Sequence, residues 1–186
     1  VIQGPVGRIV PTGISEIGDL LYRFDFPPQT EQGSYHFTLS QTVRDVEGFE
    51  LDQDADGIPG EAEDAFDFTL VLDTIPPHVV RHDPAGDFAG TLSAVDVWFS
   101  ERIDTNTVSA ADVRIVGPAT NTIPVTAVSE VGFNRFRFSF APQTDLGLYL
   151  LDVGPQLEDL AGNPLDQDGD GSQGEPEEDV YRGTNN

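Results

Sequence analysis

The sequence predicts an all-β fold built as tandem sandwich repeats joined by a short proline connector. Apolar residues alternate with period two through its hydrophobic segments, Gly, Pro, Asn and Asp punctuate those segments, and the chain repeats itself once.

Taken in chain order, Tyr22, Phe24 and Phe26 share one face while Arg23 and Asp25 take the other. Phe66, Phe68, Leu70 and Leu72 alternate in the same way, as do Val95, Val97 and Phe99. In Asn134–Phe140 the three phenylalanines 136, 138 and 140 oppose Arg135, Arg137 and Ser139, and Gly147–Val153 is a more continuous apolar strand. These segments are short and rich in β-branched and aromatic residues. No stretch sustains a 3.6-residue period for twelve residues. Seven or so strands in about 110 residues suggest an immunoglobulin-like sandwich. Trp98 falls on the face opposite Val97 and Phe99, where packing against a neighbouring loop is expected rather than a surface contact.

A shift of 114 residues aligns positions 15–63 with 129–177 without a gap, with 22 identities in 49 positions. Arg23-Phe24 matches Arg137-Phe138, Pro28-Gln29-Thr30 matches Pro142-Gln143-Thr144, and Gly33 and Tyr35 match Gly147 and Tyr149. Upstream, Gly4-Pro5 pairs with Gly117-Pro118 after a one-residue shift. Residues from Asp73 to Val113 have no counterpart ahead of Val1. Residues 1–72 therefore read as the C-terminal part of a first repeat without its opening strands, and residues 73–186 as a second, complete repeat. Consecutive Pro76-Pro77 at the boundary favours an extended, stiff connector. The opening strands are expected either in a preceding part of a longer array or, by β-addition, from another chain or segment, because an open sandwich bares apolar faces and strand edges.

Thirty-three acids face nine basic residues, all arginine, for a net charge of -24. Such a charge repels phosphate backbones and anionic lipid, which argues against nucleic acid and against direct membrane insertion as roles. No apolar run approaches the roughly 20 residues of a membrane span. Cysteine is absent, so disulfides, thiolate zinc sites and thiol nucleophiles are excluded. No signal peptide is visible, and the opening Val1-Ile2-Gln3 reads as the interior of a longer protein.

Much of the acid is clustered: 13 of the 33 acids lie within 52–64 and 166–179. Asp52 to Glu63 follows the twelve-residue calcium-loop template, with Asp52, Asp54 and Asp56 at positions 1, 3 and 5, Gly57 at 6 and Glu63 at 12. Asp166 to Glu177 repeats it with Asp166, Asp168, Asp170, Gly171 and Glu177. Calcium takes six to eight oxygens, so alternating carboxylates must curl about one point, and glycine permits the sharp turn. The carbonyls of Ile58 and Ser172 are expected at position 7, with Gly60 and Gly174 acting through water at position 9. Two Ca2+ sites, one per repeat, follow. Gly162-Asn163-Pro164 upstream and the strand pattern of 66–72 downstream exclude flanking helices, so calcium here should stiffen rather than open a helix pair.

Asp73-Thr74-Ile75-Pro76-Pro77, Val97-Trp98-Phe99-Ser100-Glu101-Arg102-Ile103-Asp104, and Gly147-Leu148-Tyr149 leading to Asp159-Leu160-Ala161-Gly162-Asn163 resemble bacterial Ig-like repeat domains of the surface-layer and adhesin type. The resemblance spans nearly all of 73–181. It implies a secreted or cell-surface array with a structural or adhesive role and with neighbouring repeats as partners. The first copy departs from it at Asp45-Val46-Glu47-Gly48-Phe49.

A calcium-stiffened structural module is the expected function. The alternatives are an adhesive or polysaccharide-binding module and an accessory domain of a larger extracellular enzyme. His36, His78 and His82 sit in no G-x-S-x-G or H-E-x-x-H context, and His78 and His82 are expected at the surface. No catalytic residue is assigned.

Overall fold

The computed structural model describes residues 1–185. The chain divides into two compact units, Val1–Thr74 and Ile75–Asn186.

The second unit contains β7 (Val79–Asp83), β8 (Leu92–Phe99), β9 (Val113–Val116), β10 (Thr122–Ile123), β11 (Val125–Gly132), β12 (Arg135–Gln143), β13 (Tyr149–Val153) and β14 (Tyr181–Asn185). They form two four-stranded sheets in the orders β11-β12-β8-β7 and β10-β9-β13-β14, with every pair antiparallel. This is an immunoglobulin-like β-sandwich. The alternation read in the sequence decides which residues close it. Val95, Val97, Phe99, Phe136 and Phe138 project from one sheet and meet Ile115, Leu151 and Val153 from the other in a single buried cluster. Each such side chain contributes roughly 1.5–3 kcal/mol by leaving water.

On the outer face, Trp98 lies beneath the guanidinium of Arg81 at 3.4 Å from its ring centroid and that of Arg135 at 4.5 Å. The expected loop contact is replaced by this cation–π stack, because both arginines lie on strands flanking β8. Asp96, also on β8 and buried, accepts hydrogen bonds from Arg135 and from Arg137, the latter through Nε at 2.7 Å and Nη2 at 2.9 Å. Burial alone would raise the Asp96 carboxyl, but these two guanidiniums hold it below its ordinary value. His82 is buried rather than exposed, its Nδ1 2.8 Å from the Tyr181 hydroxyl, since β7 turns this side chain inward toward β14.

The first unit contains β1 (Ile2–Gly4), β2 (Gly7–Ile9), β3 (Gly13–Gly18), β4 (Leu21–Asp25), β5 (Gly33–Leu39) and β6 (Phe66–Leu72). One antiparallel sheet has the order β2-β1-β5-β6, and β3 and β4 form a separate hairpin. These six strands follow the order of β9 to β14. Among the described residues the first unit has no counterpart of β7 and β8.

The repeated residues explain the common skeleton. Tyr35 and Tyr149 are buried, and each hydroxyl donates to a carbonyl four residues upstream, that of Glu31 at 2.7 Å and of Asp145 at 2.8 Å. Gly33 and Gly147 have φ near +136° and +138°, and a β-carbon at either would press on Pro5 Cγ at 2.7 Å or Pro118 Cβ at 2.9 Å. The Gly-Pro pair and the later glycine thus recur together because they touch. The turn at which the first copy departs from the second keeps its geometry. Asp45 N–H donates to the Phe49 carbonyl and Asp159 N–H to the Asn163 carbonyl, both at 3.0 Å, and each aspartate Oδ1 accepts the returning amide at 2.9 Å.

Candidate functional site

Both acidic loops lie in the long connections between neighbouring antiparallel strands, residues 40–65 between β5 and β6 and residues 154–180 between β13 and β14. Connections of this length carry many backbone amides that no strand can satisfy. Here the carboxylates take them.

In the first loop Asp54 Oδ1 accepts Asp56 N–H at 3.1 Å, Asp56 Oδ1 accepts Ile58 N–H at 2.8 Å, and Asp52 Oδ2 accepts Gly57 N–H at 3.2 Å. The second loop repeats the pattern. Asp168 Oδ1 accepts Asp170 N–H at 3.1 Å, Asp170 Oδ1 accepts Ser172 N–H at 2.7 Å, and Asp166 Oδ2 accepts Gly171 N–H at 3.0 Å. These short-range bonds are dictated by aspartates at every second position. Positive φ recurs at Ala55 (61°) and Gly169 (76°), at Gly57 (91°) and Gly171 (92°), and at Gly60 (88°) and Gly174 (73°). The amides of Gly60 and Gly174 return to the carbonyls of Leu51 (2.9 Å) and Leu165 (2.7 Å), closing each loop on the residue before it.

Two further aspartates organise the loops. Asp64 is buried and accepts the amides of Gln53 at 2.6 Å and Glu61 at 3.1 Å. Asp179, wholly enclosed, accepts those of Gln167 at 2.7 Å and Glu175 at 2.8 Å. Desolvation alone would raise the Asp64 carboxyl, but its amide donors hold it below the ordinary value. Neither residue stands out from the sequence, since the ungapped alignment pairs Asp64 with Glu178 and hides its match to Asp179.

Carboxylate oxygens of Asp52, Asp54 and Asp64 lie within 4.8 Å of one another, as do those of Asp166, Asp168 and Asp170, and those of Asp170, Glu175 and Glu178. Two oxygens each about 2.4 Å from one calcium ion are at most about 4.8 Å apart, so each triad is compact enough to share a cation. Asp52 Oδ1 and Glu175 Oε2 are enclosed and without a hydrogen-bond partner. Desolvation, followed by repulsion from Asp56, Glu63, Asp64 and Asp54, pushes Glu61 up. Desolvation, followed by Glu178 and Asp170, does the same to Glu175. All donors are hard oxygens, and a divalent cation would relieve this repulsion.

The structure thus brings together Asp52 and Asp54 in one triad and Asp166, Asp168 and Asp170 in another. Asp56 binds its loop through Ile58. Ile58 and Ser172 donate their amides inside the loops. Glu63 and Glu177 are exposed and outside the triads, which instead include Asp64 in the first loop and Glu175 and Glu178 in the second. Among the described residues no helix is long and apolar enough to cross a membrane.

A family model described as a bacterial Ig-like domain matches residues 73–172. Among solved structures, similarity extends to the N-terminal part of the bacterial S-layer protein SbsC, at 12% identity over 60% of this chain and 23% of that one, with a TM-score of 0.43. Domains 1–6 of the surface layer protein SbsC match at 14% identity over 60% of this chain and 13% of that one, also at 0.43. This chain therefore spans less than a quarter of either. No curated protein matches the sequence.

Proposed function

We propose that this chain, which belongs to the bacterial Ig-like domain family, is a calcium-binding structural segment of a secreted or cell-surface repeat protein. One observation carries the reading: the same carboxylate-bonded loop forms in both units, and each loop holds an enclosed carboxylate oxygen, Asp52 Oδ1 or Glu175 Oε2, with no hydrogen-bond donor. An enclosed anionic oxygen without a partner is costly, and a bound cation removes that cost. Asp52, Asp54 and Asp64 would hold the ion in the first loop. Asp166, Asp168 and Asp170, with Glu175 and Glu178 beside them, would hold it in the second.

Calcium there would neutralise charge and add a cross-link to the loop's own hydrogen bonds, so binding to the folded state would add stability. The loops bear on stiffness because each joins two neighbouring strands of one sheet. The test is a thermal melt with calcium, with magnesium and with chelator. A calcium-selective rise of several degrees is expected, about 2.7 kcal/mol of added stability at one hundred times the dissociation constant. Asp166→Asn should remove the second loop's share of that rise. Superimposable melts in calcium and chelator would sink the proposal.

A further inference from the structure

In the second unit β7 is the outermost strand of its sheet, with β8 on one edge and no strand on the other. Backbone groups along such an edge need other partners, or they recruit strands from elsewhere. At the start of β7 the two edges are served differently. The amide of His78 donates to Ser100 Oγ at 3.0 Å, and its carbonyl accepts Ser100 N–H at 2.9 Å, so this residue faces the end of β8. The carbonyl of Pro77 and both backbone groups of Val79 face the other way, as alternation along a strand requires. There the second acidic loop meets them.

Asp166 N–H donates to the Pro77 carbonyl at 3.1 Å. The Gln167 side chain completes the contact, its Oε1 accepting Val79 N–H at 2.8 Å and its Nε2 donating to Val79 O at 3.3 Å. A side-chain amide here does what a neighbouring strand does, taking one donor and one acceptor from the same residue. Pro77 and Val79 are buried, so polar groups left unpaired there are costly. The same short segment, 166–168, carries two of the carboxylates in the Asp166, Asp168 and Asp170 triad. The Gln167 amide donates to Asp179 Oδ1 at 2.7 Å, which ties the segment to the end of the loop. Cation-ligating oxygens and strand-holding groups therefore alternate along one piece of backbone.

We infer that the second acidic loop, when it holds its cation, caps the outer edge of β7, and that Gln167 is the positioning residue through which the cation acts on that edge. The inference rests on the calcium reading of the loop. Three carboxylates with oxygens within 4.8 Å of one another repel, which drives residues 166, 168 and 170 apart. A shared cation removes that repulsion and fixes the backbone on both sides of Gln167. The Gln167 amide group then stays in register with Val79. Without the cation the segment 166–168 loosens, and the edge at Pro77–Val79 opens while the core around Phe136 and Phe138 stays closed.

The experiment reads amide hydrogen exchange by NMR in the full chain, with saturating calcium and with chelator, while titration calorimetry follows calcium binding. The Val79 amide is measured against those of β12, which report opening of the whole unit. Calcium should slow exchange at Val79 about tenfold more than it slows exchange in β12. Gln167→Ala should still bind calcium but lose that excess protection. Gln167→Asn, which keeps the amide but shortens its reach, should lose most of it and guards against a variant that fails to fold. Equal slowing at Val79 and in β12 would reduce the effect to global stability, overturning the cap and leaving the calcium reading intact. Full protection of Val79 in both variants would overturn the role of Gln167, as would loss of calcium binding in both. No calorimetric binding to the unaltered chain would remove the cap together with the reading beneath it.

Discussion

Phe24 and Phe138 occupy equivalent places in the two repeats, each in an Arg-Phe pair, on β4 and on β12. One is 43% exposed and the other wholly enclosed. The acidic loops a few tens of residues downstream show no such contrast, with Asp52 and Asp166 accepting the amide five residues on at 3.2 and 3.0 Å. The difference separates two kinds of order. The aspartate–amide bonds that span two to five residues are set by local sequence and recur wherever it recurs. A core residue is buried only if strands distant in sequence arrive beside it, as β8 does beside Phe138.

The sharpest way to break this comparison is to truncate both phenylalanines. Phe138→Ala should destabilise the second unit by about 3–5 kcal/mol, and Phe24→Ala the first by less than about 1 kcal/mol, read from urea unfolding. Similar losses would mean that the first unit's face is covered in solution. Next in size is Asp179→Ala, which strands the amides of Gln167 and Glu175. It should cost about 2–3 kcal/mol even with chelator present, which separates its backbone role from cation binding.

Asp96 supplies a pH test confined to the unit that has β8. Its folded value lies below its ordinary one, so its contribution is present above about pH 4 and is lost as pH falls through the folded value. Asp96→Asn should cost about 1–2 kcal/mol at neutral pH, the arginines being partly solvated, and should flatten the acid limb of stability against pH. An unchanged limb would leave Asp96 without an energetic role. The smallest effect concerns the loops' one backbone mismatch. Ala55, at φ 61°, stands where the second loop has Gly169, so Ala55→Gly should stabilise the first unit by about 0.5–1 kcal/mol in the same unfolding assay.

Much of this molecule is legible in order. Alternation at 134–140 and 66–72 marks strands that the structure contains as β12 and β6, because side chains on a strand face opposite ways whatever the strand pairs with. The twelve-residue template locates both acidic loops, since aspartates two apart bond to amides two apart. It does not reveal which acids converge. Glu63 and Glu177 occupy the position the template assigns to the closing ligand, yet they point to solvent, while Asp64 and Asp179 turn inward to collect amides. Chain direction after position ten sets that choice, a 3-10 turn at Ala62–Asp64 in one loop and a turn one residue longer in the other.

By itself, then, the sequence determined the strand faces, the duplication, the glycine–proline contacts and the local bonding of the acidic loops, all consequences of spacing along one chain. Only the tertiary structure decided that Asp96 would gather two arginines and that His82 would be buried against Tyr181. Those outcomes depend on which strand lies beside which, and strand neighbours are set by packing between residues far apart in sequence.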